Sequence, residues 1–178
     1  TEKIVAIYKL LKTKLKWNGD YGFWGRSSRN ILKDGSGNNA DINFVLINML
    51  HDAGIKASPV VMSTRDHGRL PLSYPSMKFL NTFVVGAYTK DSTMVFIDSS
   101  VDDGFLNVLP ANLLTDRARV IEKNNCKWVN LQNIAQAKRD IRISAQLNPQ
   151  GVLTGMVKST SINNLAARVR DDFKHAKD

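Results

Sequence analysis

Cysteine is nearly absent from this 178-residue chain: Cys126 is the only one. A single thiol excludes an internal disulfide and a multi-cysteine metal site. Histidine is almost as scarce. His51, His67 and His175 stand too far apart for any metal-ligand spacing, so neither a metal nor a cofactor is expected. No apolar run approaches the roughly 20 residues of a membrane-spanning helix, and membrane insertion is not expected. Internal repeats and low-complexity stretches are also missing. The chain has neither an initiator methionine nor a secretory leader, which points to a piece of a longer polypeptide.

Present instead is an ordinary hydrophobic content of 43% and a net charge of +9. Length and composition suit one well-cored domain with an extra element. The charge raises the question of polyanionic partners. Its two densest clusters, Lys9 to Lys16 and Lys138 to Arg142, lack interleaved aromatics and any nucleic-acid motif. Solvated faces account for them, and no nucleic-acid partner is expected.

Apolar positions Ile4, Val5, Tyr8, Leu11 and Leu15 predict a helix over 2–16, broken at Asn18-Gly19-Asp20. A short helix or turn is expected over 29–33. The segment 41–53 is apolar nearly all round, so it predicts a buried central helix, capped by Asn38 or Asn39 and closed by Gly54. Strands are expected over 57–64, 79–88 and 94–99, the last two as an antiparallel hairpin. Between the first two lies a loop from Arg65 to Lys78, long enough to suggest a function. Farther on, 128–131 predicts a strand, 139–147 and 152–159 a hairpin about Pro149-Gln150-Gly151, and 162–173 an amphipathic helix. Cys126 is expected to be an inert strand residue.

Three segments carry chemistry: Gly37-Asn38-Asn39-Ala40-Asp41 at the head of the central helix, Asn81-Thr82, and Phe96-Ile97-Asp98. Together with Ala53-Gly54-Ile55-Lys56-Ala57-Ser58-Pro59-Val60 and Ser63-Thr64-Arg65, they make the stretch from about Lys3 to Pro110 resemble the transglutaminase-like, papain-related domain. Active members have roughly G-x-C-x-D, then N-H on a strand, then a hydrophobic residue and Asp on the next. The resemblance places the nucleophile position at Asn39, the histidine position at Thr82 and the aspartate position at Asp98. A thiol at a helix N-terminus beside an imidazole becomes a nucleophilic thiolate, and a carboxylate orients the imidazole. An amide and a hydroxyl supply neither function. The resemblance therefore implies a pseudoenzyme without catalytic residues, in which Asp98 has no imidazole to orient. Helix capping is the purely structural account of Asn39.

The expected fold class is α+β: a transglutaminase-like core over 1–115 with a buried helix on an antiparallel sheet, then a β-rich appendage over 116–178. The appendage resembles the start of the β-rich domain that follows such modules in multidomain Bacteroides-type proteins. This implies export to the periplasm or cell surface, with flanking domains of the same polypeptide as partners. The leading functional expectation is a binding or scaffolding module with a peptide, glycan or protein ligand in the vestigial cleft. Arg65, Asn81, Tyr21 and Trp24 are its candidate contacts, and the long loop is expected to pass over it. Arg65 has a salt bridge as its structural reading, and Tyr21 and Trp24 have coverage of the central helix. Three alternatives stay open: a non-thiol hydrolase or amidase using Asp98 with His67 or another local group, a structural spacer, and a polyanion-binding module.

Overall fold

The computed structural model describes residues 1–74, 76–101 and 105–175. It divides into two compact units, 1–134 and 135–178. The first begins with α1 (Glu2–Lys14), whose stripe of Ile4, Tyr8 and Leu11 is buried. A two-residue strand β1 (Lys16–Trp17) leads to α2 (Ser28–Asp34) and pairs in parallel with β2 (Ser36–Gly37). That short ladder fixes the entry into α3 (Asn39–Asp52), the central helix.

Helix α3 starts with a reciprocal capping box. The Asn38 side chain accepts from the Asp41 amide at 2.8 Å, and the Asp41 carboxylate accepts from the Asn38 amide at 3.3 Å. Two of the otherwise orphaned N–H groups are thus satisfied. The helix is closed by Gly54, which takes a left-handed φ of 74° and donates to the His51 carbonyl.

Strands β3 (Ala57–Met62), β4 (Thr82–Tyr88), β5 (Met94–Ile97), β6 (Ala118–Val120) and β7 (Lys127–Val129) form one antiparallel sheet in the order β5-β4-β3-β6-β7. Alternate side chains go to opposite faces. Val61, Phe83, Val85 and Ile97 pack with α1 and α3 in one buried cluster. Val60, Met62, Val84 and Phe96 pack with Leu109, Leu113 and Leu131 in another. Each face of the sheet therefore carries part of the core.

The core does not end at 115. β6 pairs with β3 and β7 with β6, and Leu131 is fully buried in the second cluster, so the first unit runs to Ile134. Cys126 is exposed in the turn before β7 rather than within a strand.

In the second unit, β8 (Lys138–Leu147) and β9 (Leu153–Ile162) form a ten-pair antiparallel hairpin, followed by α4 (Asn164–His175). Among the described residues, no helix is long and apolar enough to cross a membrane.

Candidate functional site

The head of α3 meets the start of β4 and the end of β5. Because Asn38 caps the helix, Asn39 occupies its first turn and faces the sheet, with no solvent exposure. Its Nδ2 donates to Thr82 Oγ1 at 2.5 Å and to the Phe83 carbonyl at 3.3 Å. Its Oδ1 accepts from the Gly22 amide at 2.6 Å. A Cβ on Gly22 would lie 2.5 Å from Asn38 Nδ2, so glycine is what lets the 20–25 loop approach this closely.

Asp98 does not touch this pair directly. Asn43, one helical turn beyond Asn39, makes the link: its Nδ2 donates to the Phe83 carbonyl at 2.8 Å and to Asp98 Oδ1 at 3.0 Å. Its Oδ1 accepts from the Ser99 amide at 3.1 Å. The other Asp98 oxygen accepts from the Ser100 amide at 3.0 Å and from the Ser100 hydroxyl. Burial pushes the Asp98 carboxyl above its usual range, while the hydrogen bonds from Ser100 and Asn43 and the charge of Lys12 oppose the shift.

Asn39, Thr82 and Asp98, the three positions singled out by the resemblance, are thus brought to one place, and all are sealed: Thr82 and Asn39 are fully buried and Asp98 is 1% exposed. An imidazole between nucleophile and carboxylate would complete the constellation. Here an amide, a hydroxyl and Asn43 fill that space. The sequence gives one signal for Asn43: it is a polar residue in an apolar run, four positions after Asn39 and hence on the same helix face.

Three of the four candidate ligand contacts are neighbours: Tyr21 and Arg65 both border Asn112, and Asn81 is bonded to Thr64. Asn81 clamps the ends of β3 and β4, accepting from the Thr64 amide at 2.9 Å and donating to the Thr64 hydroxyl at 2.8 Å. Tyr21 donates to Ser100 Oγ at 3.0 Å, and burial raises its phenol pKa. Trp24 is 77% exposed, edge-on to Phe23. Arg65 is exposed, and its backbone amide donates to the Asn112 carbonyl. His67 is exposed, and His51 lies 2.8 Å from the Ala57 carbonyl. Pro75 and the His175 side chain lie outside the described residues. Among the described residues, no group of three or more His, Cys, Asp or Glu could hold a metal ion.

The long loop lines a different recess. A groove of about 490 Å³ lies between loop residues that include Leu70, Leu72, Tyr74, Met77 and Leu80 and the sheet positions Val61, Arg119 and Trp128 with Ile121 just beyond β6. Asn39, Thr82 and Asp98 are not part of its wall. Val61 pairs with Arg119, and Arg119 with Trp128, so one cross-strand row makes its floor. No family model, no characterised protein and no solved structure matches this chain.

Proposed function

We propose that this chain is a catalytically silent transglutaminase-like module, with a papain-like core, that serves in binding or scaffolding within a larger exported protein. The observation that carries the reading is the Asn39 side chain, buried at the head of α3 with both ends engaged, by Gly22 on one side and Thr82 and Phe83 on the other. A buried amide so engaged holds three segments together and offers no lone pair for attack on an acyl carbon. The spacing Gly37-x-Asn39-x-Asp41 before an apolar helix, with Thr82 and Asp98 at neighbouring strand ends, supports the family assignment.

Transamidation, deamidation and peptide-hydrolysis assays test the reading. No turnover above that of an Asp98→Asn variant is expected from the wild type. Turnover that Asp98→Asn abolishes would overturn it and favour the hydrolase alternative. Placement in the periplasm or at the cell surface follows from the same resemblance. Fractionation of the full-length protein into the cytosol would remove that part.

A further inference from the structure

We propose that the groove walled by Leu72, Tyr74 and Met77 over the β3-β6-β7 half of the sheet binds an extended peptide segment in which an apolar or aromatic side chain adjoins an Asp or Glu. The proposal deepens the binding reading above by moving the ligand from the sealed family site to this groove.

The groove exists because α3 covers only part of its sheet face. Phe83 is packed under Phe44 of the helix, with ring centroids 4.7 Å apart. The next members of the same cross-strand row, Val61, Arg119 and Trp128, continue into the groove floor. Over them stands a wall of loop side chains that includes Leu72, Tyr74 and Met77. The large apolar side chains Leu72, Tyr74, Met77, Ile121 and Trp128 each remain 41–58% exposed around this one recess. A contiguous apolar surface of this kind marks an interaction site more often than chance. Its Trp, Tyr, Met and Arg content is that of an interface core.

The recess falls within the roughly 300–1,000 Å³ of ligand sites, but a small ligand is normally about 70–90% buried in its pocket. Walls as exposed as these suit a chain lying along a groove better than an enclosed small molecule. Arg119 supplies the polar specificity. Its guanidinium carbon lies 5.2 Å from the Trp128 ring centroid. Among the described residues no carboxylate pairs with the Arg119 side chain, so its N–H fork is open to a carboxylate from outside. The net charge of +9 favours an acidic partner in the same sense.

The wall is also anchored at its roots. Leu70 is buried and its carbonyl accepts from Arg117 Nη1 at 2.6 Å, while the Leu80 amide closes a turn onto Met77. Anchoring lowers the ordering cost of binding, and the flexible Met77 thioether can adapt to different apolar side chains.

Fluorescence anisotropy of the intact chain with labelled hexapeptides tests the proposal. The set places one Glu beside Leu or Phe at each position, with Gln counterparts, and decanoate serves as a competing small amphiphile. Members with Glu should bind about tenfold more tightly than their Gln counterparts. Arg119→Met should erase that preference, and Trp128→Ala and Leu72→Ser should each weaken binding about tenfold. Lys90→Ala, in the β4–β5 turn away from the groove lining, should change nothing. Absence of binding by every member, equal binding of Glu and Gln forms, indifference to the groove variants, or binding of decanoate alone would each overturn the proposal. A turnover signal in the assays above would sink the pseudoenzyme reading and leave the groove result standing, so the two failures are distinguishable.

Discussion

At Asn39 one amide joins the 20–25 loop, the head of α3 and the start of β4, and Asn43 extends the same network to Asp98 and Ser99. Buried polar networks are stabilising only when each member has its partner. Thr82→Val removes a hydroxyl that Asn39 Nδ2 uses. Equilibrium unfolding should therefore show a loss of about 1–3 kcal/mol, the range for a buried donor left short of a partner. Asp98 gives a pH signature. Its folded pKa is raised above the unfolded value of 3.8, so its contribution is fully present below that value and is lost as pH rises through the folded pKa. The difference in unfolding free energy, wild type minus Asp98→Asn, should accordingly fall as pH increases from 3.8. A difference that grows with pH would mean Asp98 is ion-paired in the ordinary way. Asp116 has that opposite sign: the Arg69 hydrogen bond lowers its pKa, and its contribution is lost as pH falls.

Among the elements, α3 depends most on local signals. Asn38→Ala removes the cap of its first turn and should cost about 1 kcal/mol in chemical denaturation, while Asn38→Ser should keep most of the stability. The cap, the apolar run of α3 and the closing Gly54 were all legible in the sequence, because capping and periodicity are local. The β4–β5 hairpin and the β8–β9 hairpin were legible for the same reason. β6 was not: it is three residues long, too short for alternation to be seen, and β7, expected as a strand over 128–131, carried no sign of its partner. Their membership in the sheet depends on pairing with β3, about sixty residues earlier in the chain. The groove was hidden likewise, since Arg119 and Trp128 meet Val61 only through that pairing. The clamp of Asn81 on Thr64 was hidden too, since the two are seventeen positions apart in the chain.

For the whole molecule, both buried clusters lie within 1–134. A fragment ending at Ile134 should therefore unfold cooperatively. A fragment ending at Thr115 should not, because it lacks β6, β7 and Leu131. Circular dichroism with denaturant distinguishes the two. Asn39, Thr82 and Asp98 converge in space, and in the reading proposed above these three positions serve cohesion rather than catalysis. Residues kept for function tend to cost stability, and replacing them is often neutral or stabilising. Residues kept for cohesion behave in the opposite way. The unfolding free energy of Asn39→Ala is thus the most direct test. A loss of about 2–4 kcal/mol is predicted from the unpaired Gly22 amide and Thr82 hydroxyl and the cavity left behind, while Asn43 still serves the Phe83 carbonyl. An unchanged or increased stability would contradict the account.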